Sequence, residues 1–396
     1  MNAVLPRNVS PYLPALLALL LLACAHFKYV RLQRAEDSFY AFTQRAGRGE
    51  LDGARASIEA ADAESPDNAH YLSNDALLHE RMLRREFDFA SFASPALNAD
   101  ERQHVEAGIQ LYRRVLELNP YDDHACHNLG WLNWLAGRRQ EALDYLGRAN
   151  ALDSDFPLYR ISLGLVREYG GESAAADEQY AQALRSSPSV ADSPFFLELR
   201  GRSPERAERL IAGAVSYFEE QVRRGAGTSA KAKLGKLYLD TQPERATRLL
   251  EEAAAELPSL ARPWANLGYL YEQRGDAARA ERSYRKALFI DQDVPTILRL
   301  GNLYERQQRT QEAVNQYRWA VNTWSNQSST HASRVRRIYH SRFTLRDDII
   351  PKGMSVYASP TFDMVGTCEK LSAMLRQAGK QDTAAYYEKL AREYEP

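Results

Sequence analysis

Small and apolar residues recur along most of this chain with a period of 33 or 34 residues. The pair Leu-Gly marks the repeat and stands at 129–130, 163–164, 234–235, 267–268 and 300–301. Ala280, Tyr284 and Ala287 follow one of these glycines, and the same order follows most of the others. Spacings of three and four residues place such side chains on one face of a helix. The pattern therefore predicts pairs of amphipathic helices repeated along the chain.

One step between the Leu-Gly pairs is longer than the rest. Gly164 and Gly235 are 71 residues apart, close to two periods, so a degenerate unit at 191–227 is expected between them. Helices that meet at a glycine can approach closely, and a leucine at Gly268 would overpack the contact at about 1 to 3 kcal/mol. Other glycines and prolines fall between the predicted helices, where they end the hydrogen-bond ladder.

The unit from Ala261 carries the residues of a known repeat: Trp264, Leu267, Gly268, Tyr271, Gly275, Ala280, Tyr284 and Ala287. It resembles the tetratricopeptide repeat, and the resemblance covers about nine tenths of the chain, most strongly 123–190 and 228–327. It implies an all-α fold, a right-handed superhelical solenoid of about nine helical hairpins preceded by an N-terminal hydrophobic helix. Such hairpins cannot bury their apolar faces alone, so they stack and leave a concave face open to a partner.

Four segments are predicted from these patterns. They are an anchor or signal peptide at 1–30, the solenoid at 31–327, a non-repeat insertion at 328–364 and a C-terminal capping hairpin at 365–396. A further insertion near 87–104, with Phe87, Phe89 and Phe92, interrupts the solenoid.

Residues 11–27 carry no charge apart from His26 and centre on a run of leucines. A helix of this length reaches about 25 Å, short of the roughly 30 Å hydrocarbon core unless it continues to Val30. The segment also has the form of an export signal, with Ala23-Cys24-Ala25 as cleavage site or lipobox and Cys24 as the candidate for lipid attachment. We therefore predict contact with a bacterial membrane through residues 11–30.

Two conflicting signals bear on the side of the membrane. Lys28, Arg31 and Arg34 follow the apolar segment while only Arg7 precedes it, and this distribution of positive charge places the body in the cytoplasm. The export signal places the body outside. We favour a periplasmic or extracytoplasmic body, and the cytoplasmic location stays open as the alternative.

Charge and motif content argue against nucleic-acid binding and catalysis. Lys and Arg number 51 against 52 Asp and Glu, so there is no global attraction for nucleic acid. The sequence contains no H-E-x-x-H, P-loop, G-x-S-x-G or dinucleotide-binding motif. His124, Cys126 and His127 lack a further ligand at helical spacing. We expect no enzyme, no metal and no cofactor, and the sequence does not predict the oligomeric state.

The resemblance also implies which residues line the concave groove. In the C-terminal half they are mostly basic or amide side chains: Lys233, Lys236, Arg262, Asn266, Tyr269, Arg299, Asn302 and Arg306. In the N-terminal half they are aromatic or aliphatic: Trp131, Trp134, Leu165 and Tyr169. An extended peptide with an acidic end and an apolar segment would fit such a groove. The alternatives are that the tryptophans pack between helices and that the cations are merely solvated.

The insertion at 328–364 is locally basic. It contains Arg334, Arg336, Arg337, Arg342, Arg346 and Lys352 against Asp347 and Asp348. An anionic lipid headgroup, a phosphate or an acidic partner is the predicted ligand at 334–352, and a solvated or self-packed insertion is the alternative.

Together these features predict a membrane-tethered adaptor that binds a protein or peptide and supports the assembly of a bacterial cell-envelope complex. One alternative is an accessory subunit of surface-polysaccharide or lipid-linked glycan machinery that uses the basic insertion. Another is a cytoplasmic-facing chaperone-type adaptor. Asn266 and Arg299 match residues with which some tetratricopeptide domains bind a terminal carboxylate, but Lys236 and Pro295 depart from that set.

Overall fold

The computed structural model describes residues 13–83, 96–329 and 364–394, and all regular secondary structure within these ranges is helical. The helices form two compact units, the first with α1 to α5 and the second with α6 to α18. Consecutive helices pack in pairs within each unit, so the predicted all-α fold of helical hairpins is confirmed.

The first unit contains α1 (Leu13–Gly47), α2 (Leu51–Glu64), α3 (Ala69–Met82), α4 (Ala99–Leu118) and α5 (Asp123–Leu135). α1 packs against α2, and α3 packs against α4. Asn68, Asn98 and Asp122 precede α3, α4 and α5, and their side chains accept hydrogen bonds from first-turn N–H groups. Such capping fixes where each helix begins.

The second unit contains α6 (Arg139–Leu152), α7 (Pro157–Tyr169), α8 (Ser173–Ser186), a 3₁₀ helix (Pro188–Asp192), α9 (Pro194–Arg202), α10 (Pro204–Arg223), α11 (Thr228–Leu237), α12 (Pro243–Glu256), α13 (Ala261–Gln273), α14 (Ala277–Ile290), α15 (Val294–Arg306), α16 (Thr310–Ser329), α17 (Met364–Gln377) and α18 (Gln381–Tyr394). The nine-residue α9 and α10 occupy the predicted degenerate unit at 191–227, and the 3₁₀ helix leads into it, where a regular hairpin would have a longer first helix.

Glycines of the first helix in a hairpin receive a large side chain from the second helix. The pairs are Gly164 with Tyr180, Gly235 with Leu250, Gly268 with Tyr284 and Gly301 with Tyr317. A Cβ atom at Gly268 would lie 2.5 Å from Cε1 of Tyr284, and real Cβ contacts are not that short. The Leu-Gly repeat is therefore the sequence mark of close helix contact.

A second set of tyrosines joins each hairpin to the one before it. Tyr271 donates a hydrogen bond to Oε1 of Glu251 at 2.6 Å, and the Arg279 guanidinium lies 4.8 Å from the centre of the same ring. Burial, together with the bond to Glu251, raises the pKa of Tyr271 to about 12. The same arrangement recurs twice, as Glu219, Tyr238 and Arg245 and as Glu281, Tyr304 and Arg309.

The last hairpin of the second unit packs on α15 and α16 as the next member of the stack. Cys368, Leu371 and Tyr387 belong to the same buried cluster as residues of α15 and α16. Lys370 places its ammonium 2.5 Å from Oε2 of Glu305 and 4.8 Å from the centre of the Tyr317 ring. Residues 330–363, with Arg334, Arg336, Arg337 and Arg342 of the predicted basic insertion, lie outside the described residues. So do Phe87, Phe89 and Phe92.

α1 is one continuous helix that begins in the predicted membrane segment. Arg31 holds it to the end of α2, donating to the Glu64 carbonyl at 2.8 Å and to the Glu64 carboxylate at 3.1 Å. Cys24 is exposed on this helix. Within the described ranges, no helix combines the length and apolar character needed to span a bilayer. The predicted anchor at 1–30 is thus not supported, and its residues 1–12 lie outside the described part of the chain.

Candidate functional site

A cavity of about 800 Å³ opens in the second unit, where turns between hairpins meet the first turns of α7, α11, α13 and α15. Part of its wall is polar and made of small residues: Ser186, Ser187, Ser189, Ser229 and Ser259. Another part is apolar and includes Phe156, Pro188, Leu260 and Ile290. Ser187 directly precedes the 3₁₀ helix, so the cavity borders the irregular unit.

Four of the predicted groove residues line this cavity, namely Lys233, Lys236, Arg262 and Asn266. Two of them are engaged within the unit. Lys236 forms an ion pair with Asp192. Lys233 donates to the Arg185 carbonyl at 3.4 Å and lies 5.8 Å from the centre of the Phe218 ring.

Arg262 and Asn266 are the two predicted groove residues on the wall that have no hydrogen-bond or ion-pair partner among the described residues, and the carboxylates of Asp155 and Asp291 line the same cavity. The Arg262 side chain is exposed and forms no hydrogen bond or ion pair within the part of the chain that the structure describes. Burial raises the pKa of Asp293, and hydrogen bonds with Thr296 and the charge of Arg262 oppose this rise. Asn266 is half-buried, and its amide has no hydrogen-bond partner among the same residues.

The remaining predicted polar residues do not form a free basic wall. The Arg299 guanidinium lies 4.7 Å from the centre of the Tyr269 ring, and the Tyr269 hydroxyl donates to Asp240 at 3.1 Å. Arg306 forms an ion pair with Glu272.

Asn302 is also engaged, since it accepts a hydrogen bond from the Tyr317 hydroxyl at 2.7 Å. Carboxylates on neighbouring elements pair with two of the five predicted cations, Lys236 and Arg306, so the predicted basic trough is partly neutralised.

The aromatic half of the predicted groove also differs. Trp131 and Trp134 in the first unit are only 2% and 8% exposed, and the Trp131 indole donates to Nε2 of His127 at 3.1 Å. Leu165 in the second unit is fully buried, and Tyr169 is half-buried. Trp131, Trp134 and Leu165 therefore pack in the cores of their units, as the alternative interpretation of the tryptophans holds, and do not form an open wall.

No cluster of three or more His, Cys, Asp or Glu side chains in the described ranges could hold a metal ion. His127 and Cys126 are fully buried in the first unit, and Cys368 is fully buried in the second.

Comparison with known proteins identifies the repeat. Residues 261–293, which contain α13 and α14, match the family model described as tetratricopeptide repeat. The helical hairpins on either side repeat its glycine packing. No curated protein matches the chain.

Several solved structures match the chain. MamA is 16% identical, with 56% of this chain and 91% of MamA covered and a TM-score of 0.34. A tetratricopeptide repeat protein from Parabacteroides merdae ATCC 43184 is 15% identical, with 78% and 98% covered and a TM-score of 0.32. YrrB, described as a tetratricopeptide protein with an unusual peptide-binding site, is 14% identical, with 57% and 96% covered and a TM-score of 0.24.

Proposed function

We propose that this chain is a non-catalytic scaffold whose second unit binds an extended segment of a partner protein in the cavity beside the irregular unit. The observation that carries the proposal is the cavity itself, with an unpaired guanidinium and an unpaired amide on its wall among the residues that the structure describes. A volume of about 800 Å³ lies within the usual range of ligand sites, which is roughly 300 to 1,000 Å³.

The groups on the wall define the ligand that would fit. Arg262 offers several N–H donors and no acceptor, so it favours a carboxylate. Asn266 both donates and accepts, and it suits a peptide group of the ligand backbone. Phe156, Leu260 and Ile290 supply apolar contact. A peptide meets these requirements if its one acidic residue lies at Arg262, away from the wall carboxylates of Asp155 and Asp291, and its other residues are small or apolar. Lys236 contributes little because Asp192 already holds it.

The proposal is tested by selecting peptides from a displayed random library on the full-length chain and then measuring their binding to variants. Arg262→Glu should weaken cavity-binding peptides by roughly 10- to 100-fold, since a hydrogen bond to a charged group contributes about 1.5 to 3 kcal/mol. The matched control is Arg248→Glu, which reverses an exposed charge on α12, outside the cavity. Equal loss in both variants, or no loss with Arg262→Glu, would contradict the proposal.

We also propose, from the sequence alone, that residues 11–30 attach the protein to a bacterial membrane with the body outside the cytoplasm, where it supports assembly of an envelope complex. Protease treatment of intact spheroplasts should digest an exported body and spare a cytoplasmic one. Incorporation of labelled palmitate that is lost in Cys24→Ala would indicate lipid attachment. A chain found wholly in the soluble fraction would contradict the attachment.

A further inference from the structure

The exposed face of α14 carries three cations and one aromatic ring, Arg282, Arg285, Lys286 and Phe289. These positions share one side of the helix because they are three, four or seven residues apart. Phe289 is 93% exposed, which is unusual for a ring of this size in a folded unit. None of the four lines the cavity described above.

The hairpin fold does not require these residues. Tyr284 packs on Gly268 as Leu250 packs on Gly235 and Tyr317 on Gly301, and these pairs define which positions of α12, α14 and α16 are equivalent. At the positions equivalent to 282, 285, 286 and 289, α12 has Arg248, Glu251, Glu252 and Ala255, and α16 has Asn315, Arg318, Trp319 and Asn322. The combination of clustered cations with an exposed phenylalanine is therefore particular to α14 among these three helices.

Little within the unit neutralises the charge of this face. Arg282 forms no ion pair with any residue that the structure describes, although its charge contributes to the lowered pKa of Asp276. Arg285 lies 3.7 Å from Glu281, but the Glu281 carboxylate already accepts from Arg309 at 2.7 Å and from Tyr304 at 2.9 Å. The pKa of Glu281 is lowered although burial opposes this, as expected for a carboxylate held by strong donors.

Lys286 extends the face without neutralising it. Its ammonium lies 4.0 Å from the centre of the Trp264 ring on α13, and this cation–π contact holds the side chain across the surface. A third positive charge beside the two guanidinium groups concentrates positive potential next to Phe289.

We propose that the exposed face of α14 is a second docking surface, separate from the cavity, for an acidic protein segment that carries a small apolar cleft. Phe289 enters the cleft, and Arg282 and Arg285 bind carboxylates of the partner. Phe289 lies seven positions after Arg282, which is a rise of about 10 Å along the helix, so the carboxylate and the cleft are about 10 Å apart on the partner.

The composition favours a protein over a lipid surface as the occupant. Arginine and aromatic residues are enriched at protein interfaces, and lysine is depleted. The planar guanidinium binds a carboxylate through two parallel hydrogen bonds, whereas anionic lipid headgroups attract lysine and arginine alike. A single projecting ring with arginines beside it also matches the few central residues that carry most of the binding energy in such interfaces.

The experiment uses the same displayed random library on the full-length chain and sorts the selected peptides by the variants that abolish their binding. A class rich in Asp and Glu should bind at least 10-fold more weakly to Phe289→Ser and to the double variant Arg282→Glu with Arg285→Glu. The same class should bind equally to the wild type, Arg262→Glu, Arg248→Glu and Tyr386→Ser, the last of which alters another exposed ring.

Vesicles of phosphatidylcholine with and without phosphatidylserine form the second arm. A lipid surface would replace the proposed partner if two results came together. The protein would bind phosphatidylserine vesicles and lose that binding in both α14 variants, and no selected peptide class would depend on α14. Selected peptides without an excess of acidic residues would overturn the proposal as well. Because the α14 class is scored against Arg262→Glu, failure of the cavity proposal leaves this result unaffected.

Discussion

The contact between Gly268 and Tyr284 gives the sharpest test of how the hairpins pack. In Gly268→Ala, the new Cβ would lie 2.5 Å from Cε1 and 2.9 Å from Cγ of Tyr284, and closer still to Cδ1. Carbon atoms prefer separations of about 3.5 to 4.0 Å, so the helices must part by about 1 Å or the ring must leave its rotamer. Tyr284 is fully buried and its hydroxyl is bound to Glu272, so the ring has little room to move.

The expected magnitude follows from two opposing effects. Overpacking of a core costs about 1 to 3 kcal/mol, and contact with three ring atoms indicates the upper part of that range. Replacing glycine by alanine inside a helix stabilises the helix by about 1 kcal/mol. Gly268→Ala should therefore lower the free energy of unfolding by about 2 kcal/mol, measured by urea denaturation with circular dichroism.

Gly213→Ala is the matched control because Gly213 lies in α10, and no atom of another element lies within 4 Å of the place that an added methyl group would take. It should be neutral or stabilising by up to about 1 kcal/mol. The double variant Gly268→Ala with Tyr284→Ala isolates the contact, since Gly268→Ala should stop being destabilising once the ring is gone. The same loss in both backgrounds, or a Gly268→Ala protein as stable as the wild type, would refute the packing argument.

Two further predictions concern buried polar groups. Burial, and then the charges of Asp75 and Glu59, raise the pKa of Asp62 to about 7. The contribution of this carboxyl group to stability is therefore present below its unfolded pKa near 4 and is lost as the pH rises through 7. Asp62→Asn should therefore raise the melting temperature by more at pH 8 than at pH 5, since most of the loss of stability falls between these two values; an equal shift at both would contradict this. Tyr271→Phe removes the bond to Glu251 and should cost about 0.5 to 1.5 kcal/mol, whereas the same change at the exposed Tyr121 should cost nothing measurable.

Much of the fold could be predicted because one physical requirement recurs in the sequence at a fixed period. Close helix contact needs glycine on one helix and a large ring on the other, and this need recurs once per hairpin at Gly164, Gly268 and Gly301. The tyrosine bonds between hairpins were not predicted. Glu251 and Tyr271 belong to different units of the repeat, and a pattern within one unit does not reveal their contact.

The candidate site could be predicted only in part, because position in a repeat fixes the direction of a side chain but not its partners. Lys236 lines the cavity, yet Asp192, which pairs with it, comes from the irregular unit that the repeat pattern does not describe. Trp131 and Leu165 occupy predicted groove positions, but both are buried. Their burial depends on tertiary packing, which local spacing cannot report.

The irregular unit explains why a cavity exists in this part of the chain. In a regular array the first helix of each hairpin packs along the next, and its side chains fill the space between them. Between α8 and α11, the 3₁₀ helix Pro188–Asp192 and the nine-residue α9 stand in place of a regular first helix. Ser187 and Ser189, at the start of the 3₁₀ helix, place short side chains on the cavity wall. The long step between Gly164 and Gly235 in the sequence therefore has a physical consequence. Where local regularity fails in an otherwise consistent array, a binding site is the expected reason, and the cavity with Arg262 on its wall is the place in the second unit to test for one.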